Sequence, residues 1–225
     1  FLGGINFALH FQLFRRNFAV IFKNPEFKSY CTLILVGVLF VTWGLTQVST
    51  NGDAGQAFRS AAFTVVSIHT TTGFVTDDFN LWPEYLKLFI VVIMMVGGCS
   101  GSTSGSFKVI RLIILLKIIM RELKKLVHPR AIFHVKVGDK TIDADDLSNV
   151  AALTFLFIGF SALGGVLLSA MGVDLTTALT ATVASLFNIG PGLGNVGAMG
   201  NYSEIPAMGK GILILFMLLG RLEIY

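Results

Sequence analysis

The chain has 225 residues, of which 54% are hydrophobic and 13% charged, and its mean hydropathy of +0.76 is well above that of an ordinary soluble domain. Its formal charge of +4 comes from basic residues without aromatics interleaved on one face, which excludes a nucleic-acid-binding surface. The 4 histidines and 2 cysteines show no metal-ligand spacing, and no Ser/His/Asp order or phosphate loop can be assembled, so the chain is not read as an enzyme and no organic cofactor is expected.

The chain opens on Phe1, without a charged n-region and h-region, and closes on Tyr225 inside an apolar run; it reads as an excerpt of a longer protein. Apolar runs at 30–47, 86–120, 147–171 and 205–225 approach or exceed the roughly 20 residues that cross a hydrocarbon core, so a bilayer is the expected solvent. Arg15, Arg16, Lys23 and Lys28 precede the first run, and Arg111, Lys117, Arg121, Lys124, Lys125 and Arg130 follow or close the second. Basic flanks mark the cytoplasmic side. Asp53, Asp77, Asp78 and Glu84 outnumber the basic residues between those regions and suit an external face. Cys31 and Cys99 sit in apolar segments and read as inert packing residues.

If both basic regions are cytoplasmic, an outward and a return span lie between them, which leaves residues 57–70 over. As a helix these measure about 21 Å, too short for a full crossing, so a re-entrant pore helix is predicted, followed by the polar stretch Thr70-Thr71-Thr72-Gly73-Phe74. The order returns further on: a span at 147–171, a short apolar helix at 174–187, the loop Asn188-Ile189-Gly190-Pro191-Gly192, and a span from 205. The offset is about 117 residues, Gly73 matching Gly190, so a helix, re-entrant loop, helix unit repeats within an all-α integral membrane fold. Residues 121–149 form the one long hydrophilic stretch. Pro129 and the Gly138-Asp139 turn signal break it, and it reads as a cytoplasmic, partly helical connector.

Cation selection in a membrane requires oxygens that replace the hydration shell, and backbone carbonyls supply them where glycine permits unusual conformations. Thr71, Thr72 and Gly73 meet that requirement after the first pore helix, and Asn188, Ile189 and Gly190 after the second. The plain alternative is that Gly73 and Gly190 merely cap helix ends. The run at 83–120 would make a helix of about 57 Å, so a break is predicted at 97–106. There Gly97, Gly98, Gly101 and Gly105 alternate with Ser and Thr, a composition suited to a flexible gate. Arg221, roughly 24 Å into the last span, is either a barrier or lock in the pathway or a snorkelling cation. His69 is expected to brace the first loop from behind.

On His69 to Phe74, the 97–108 run, Asn188 to Gly194 and Leu219-Gly220-Arg221-Leu222-Glu223, the sequence resembles the Trk/Ktr/HKT family of potassium transporters. The resemblance implies four such units around one pathway, related by pseudo-fourfold symmetry. Residues 1–29 would then be the end of the second unit and a cytoplasmic connector, 30–120 the third unit, 121–146 a linker, and 147–225 the fourth, truncated. It implies that Gly73 and Gly190 are filter glycines, that potassium is held by carbonyls of Thr71, Thr72, Asn188 and Ile189, and that the 97–106 loop with Arg221 forms the gate. It also implies a multi-pass inner-membrane protein in contact with lipid, a homodimer, and a cytosolic nucleotide-binding regulatory subunit (TrkA-like). The rival readings are an ion-coupled secondary transporter with re-entrant loops and a non-transport structural membrane subunit. The first would use an intramembrane carboxylate, and the apolar runs contain only Glu223.

Overall fold

The structure is a computed structural model and describes residues 1–16, 18–48, 53–128, 133–138 and 140–222. Pro129, Arg130, Asp139 and Glu223, all used above, lie outside the described residues. In chain order the helices are α1 (Phe7–Phe14), α2 (Phe18–Lys23), α3 (Pro25–Val48), α4 (Ala54–His69), α5 (Glu84–Met94), α6 (Val109–Val127), α7 (Ala144–Ala170), α8 (Leu175–Leu186) and α9 (Ala207–Arg221). Between α6 and α7 a two-residue antiparallel hairpin pairs β1 (Lys136–Val137) with β2 (Lys140–Thr141).

Among the described residues two helices are long and apolar enough to cross a bilayer: α3 with 24 residues and α7 with 27, or about 36 and 40 Å. α3 packs on α4, and α7 on α8, which in turn meets α9. Close approach in the second pair depends on small residues: a Cβ added to Gly164 would sit 2.4 Å from both Thr182 Cγ2 and Phe216 Cε2. Tyr30, Val41, Leu86, Ile90 and Met94 are fully buried at the centre of the first group of helices. Leu168, Ala178 and Ala181 form the core of the second, while Leu35, Val36, Phe155 and Val166 point outward.

Both short helices start on an aspartate. Asp53 Oδ1 accepts from the Gly55 and Gln56 amides at 2.9 and 3.3 Å, and Asp174 Oδ2 accepts from the Thr177 amide at 2.9 Å. These caps explain why α4 begins at Ala54, three residues ahead of the apolar stretch expected from hydropathy. The first span also starts early, because Pro25 is compatible with the opening turn of α3. Glu26 therefore belongs to α3 and is buried, so the expectation that the spans carry no carboxylate apart from Glu223 is corrected. The predicted break lies between Met94, where α5 ends, and Val109, where α6 begins. The hydrophilic connector is helical at both ends, α6 running to Val127 and α7 starting at Ala144.

Candidate ion pathway

α4 and α8 end in the same way, residue for residue at an offset of 117. The Thr70, Thr71 and Thr72 amides donate to the Val66, Ile68 and Ser67 carbonyls at 3.0, 3.0 and 2.9 Å. The Phe187, Asn188 and Ile189 amides donate to Val183, Ser185 and Ala184 at 2.9, 3.1 and 2.8 Å. Each is a Schellman motif, whose left-handed position falls on Thr71 (φ 53°) and Asn188 (φ 56°). Gly73 and Gly190 lie two residues further on, at φ 76° and 113°. Neither glycine is the helix cap, so the capping alternative fails. Each permits a second left-handed residue, which turns the chain away from the helix end.

The two loops touch. A Cβ added to Gly73 would lie 2.3 Å from the Ile189 carbonyl oxygen, so only glycine allows this approach. Ser67 Oγ donates to the Phe74 carbonyl at 2.6 Å and Thr70 Oγ1 lies 2.7 Å from Thr72 Oγ1, bracing the first loop internally. The Tyr202 hydroxyl donates to the Gly190 carbonyl at 2.6 Å and braces the second. His69 is only 2% exposed and stacks on the Tyr30 ring at 5.4 Å between centroids, behind the first loop.

The segment between α5 and α6 is an ordered, non-helical fold. The Gly97 amide donates to the Phe107 carbonyl at 2.9 Å, and Val96 and Phe107 form a parallel bridge. Gly98 donates to Ser104 Oγ at 2.9 Å, Gly101 turns at φ 69°, and the Gly105 amide reaches Thr71 Oγ1 at 2.8 Å. Ser106 Oγ donates to the Phe187 carbonyl at 3.0 Å. This segment thus contacts the ends of both α4 and α8.

Arg221 reaches the same segment, its Nη1 donating to the Thr103 carbonyl at 3.0 Å. Its placement depends on Gly220, where an added Cβ would lie 1.7 Å from the Leu186 carbonyl oxygen. Only glycine lets α9 pass this close to the end of α8. The structure therefore brings Thr71, Thr72 and Gly73 beside Asn188, Ile189 and Gly190, with Gly105 against both loop starts; Gly97 packs on Gly105, whereas Gly98 packs on Gly4, Gly101 on Asn6, and Arg221 reaches the segment at Thr103.

Three contributors were not singled out from the sequence. Glu26 Oε1 accepts from the Ser100 amide at 2.6 Å, tying α3 to the non-helical segment. Lys108, buried at the head of α6, donates from Nζ to the Ser104 carbonyl. Asn80 holds Gly194 with two bonds of 3.0 Å, Nδ2 to its carbonyl and Oδ1 from its amide, linking the two units beyond their loops. Glu26 stands in the polar, basic stretch ahead of the first apolar run, Lys108 closes the Gly/Ser-rich run and Asn80 lies in a polar loop, so hydropathy carried no signal for any of the three.

The family model described as a cation transport protein, TrkH, matches residues 1–225. The Trk system potassium uptake protein TrkH of Halomonas elongata is 39% identical over 227 residues, and that of Escherichia coli K12 is 37% identical over 229. Each alignment covers 100% of this chain and 46% of the relative. The crystal structure of the potassium transporter TrkH from Vibrio parahaemolyticus matches with a TM-score of 0.91 at 35% identity, over 100% of this chain and 48% of that one. The chain thus spans about half the length of the curated relatives it matches, and its fold is the helical membrane fold of that transporter. With the matching ends of α4 and α8, the non-helical segment beside them and a match along its whole length, the chain belongs to the TrkH family of cation transport proteins.

Proposed function

We propose that this chain supplies the third and fourth of four helix, pore-loop, helix units of a gated, channel-like potassium uptake protein of the bacterial inner membrane. The observation that carries this reading is the pair of matching loops with two left-handed residues each, in contact with one another and with the polar segment between α5 and α6. The names of the relatives, potassium uptake protein and potassium transporter, support the choice of ion. In this reading carbonyls of Thr71, Thr72, Gly73, Asn188, Ile189 and Gly190 replace the hydration shell of potassium. The 97–106 segment obstructs the path, and Arg221 adds a fixed positive charge and a bond that holds the segment in place. A membrane potential negative inside drives the cation inward by about 2.3 kcal/mol per charge per 100 mV. The protein assembles as a homodimer under a cytosolic, nucleotide-binding TrkA-like subunit, which contacts the connector between α6 and α7.

The test is uptake by the full-length protein in liposomes, normalised to the amount inserted. Gly73→Ser is expected to lower the preference for potassium over sodium; an unchanged preference removes Gly73 from the filter. Arg221→Ala is expected to raise potassium uptake and Arg221→Lys to raise it less, because lysine keeps the charge but loses the planar fork. Unchanged flux in both makes Arg221 an anchor.

A further inference from the structure

We propose that the groove between α6 and the β1–β2 hairpin binds the phosphate headgroup of an anionic phospholipid of the cytoplasmic leaflet, with the acyl chains running along α6. The groove is a cavity of about 290 Å³. Lys117, Met120, Arg121 and Lys124 line it from the helix, and His134 and Lys136 from the chain leading into the hairpin. Lys117, Arg121 and Lys124 fall at i, i+4 and i+7, on one face of α6. The Lys117 ammonium is aimed across the groove, donating to the Lys136 carbonyl, so helix and hairpin are already tied together at the site. Glu122 offsets part of the charge, at 2.8 Å from Arg121 Nη2 and 3.2 Å from Lys125 Nζ. Among the described residues Lys124 and Lys136 have no carboxylate partner within 4.0 Å.

What favours a lipid over a soluble anion or an acidic protein is the adjoining face of the same helix. Leu116, Ile119, Met120, Leu123, Leu126 and Val127 recur at helical spacing and are all about half exposed or more, reaching 80% at Leu126. Met120 borders the groove, so basic pocket and apolar stripe are continuous. A basic face beside an exposed apolar face is the pattern of a helix lying in the membrane interface, and basic residues near an anionic leaflet each contribute about a fivefold gain in binding. α6 also begins directly after the non-helical segment, so a lipid held on α6 bears on the position of Lys108 and its bond to Ser104.

Native mass spectrometry of the delipidated full-length protein tests this, with phosphatidylglycerol, phosphatidylcholine or inorganic phosphate added. Binding is read without transport, so it stands or falls independently of which ion crosses. The protein is expected to retain one more phosphatidylglycerol than the variant Lys117→Gln/Lys124→Gln/Lys136→Gln. The loss in affinity should be on the order of 100-fold for three charges. Lys28→Gln, also basic and exposed but outside the groove, is expected to change nothing. Should the triple variant not fold, Glu122→Gln still decides, since releasing Arg121 is expected to strengthen binding several-fold. Equal retention by wild type and triple variant, no gain in Glu122→Gln, or equal retention of phosphatidylcholine overturns the proposal. Inorganic phosphate binding as tightly as the lipid makes the groove a free-phosphate site, and displacement of the lipid by the cytosolic subunit without loss of transport makes it a protein interface; either result overturns the lipid assignment.

Discussion

The loop after α4 and the loop after α8 share a backbone and differ in how they are held. Both place a non-glycine residue in the left-handed region, yet Asn188 is a residue that tolerates it and Thr71 is β-branched, for which it is an outlier. Such a conformation costs on the order of 1–3 kcal/mol and persists where surrounding contacts determine it. For Thr71 those contacts lie in the segment between α5 and α6, the Gly105 amide at 2.8 Å and Ser104 Oγ at 3.2 Å. For Asn188 the contact is with α9, Nδ2 donating to the Met217 carbonyl at 3.2 Å. The segment thus meets both helix ends, through Thr71 at the first and through the Phe187 carbonyl at the second, and the second loop alone has the further bond from its left-handed residue to α9.

The largest effect is expected where the second loop meets its helix. Gly220→Val places branched carbon against the Leu186 carbonyl and should cost about 3 kcal/mol, the upper range for overpacking, seen as a lower unfolding temperature in detergent. If Gly220→Val unfolds at the wild-type temperature, the α8–α9 crossing is not what positions Arg221.

Next comes the asymmetry itself. Thr71→Val retains the shape but strands the Gly105 amide, at a cost of about 1–3 kcal/mol. Because that bond joins loop to segment, basal flux should rise more in Thr71→Val than in Asn188→Leu, which removes the bond to α9 and lowers stability. Equal flux changes in the two variants would mean that the loops are not differently coupled.

The smallest effect belongs to the helix caps. Replacing either Asp53 or Asp174 by Ala should cost about 1 kcal/mol. Hydrogen bonds from the Thr177 side chain and amide hold the Asp174 carboxyl below the ordinary range. A depressed folded value means that its stabilisation is complete above the ordinary carboxylate value and is lost as pH falls through the folded one. Acid unfolding of Asp174→Asn should therefore be flatter over that range, and an unchanged acid limb removes the cap from the account.

Much of this architecture was legible because it is written locally. Apolar length marks α3 and α7, the glycine density at 97–106 marks the interruption between α5 and α6, and the Gly73–Gly190 offset marks the repeated helix end. The helix starts were less legible, since Asp53 and Pro25 act through capping geometry and not through hydropathy, and Glu26 was left outside the span for that reason.

Pairing was beyond reach of the sequence. The bonds that join the candidate pathway link Thr71 with Gly105, Glu26 with Ser100, Asn80 with Gly194 and Arg221 with Thr103, across separations of 34, 74, 114 and 118 residues. Composition along a chain reports how much apolar surface each stretch must bury, and that determined an all-helical membrane fold with two interrupted units. Which hydroxyl meets which amide depends on where helices cross. Those crossings are set by a few contacts such as Gly220 on Leu186 and Gly164 on Thr182, where the absence of a side chain lets two backbones approach. A glycine has the same letter whether it faces a carbonyl or open space, so only the packed structure separates Gly220 from Gly211, which has nothing within 4 Å of an added Cβ.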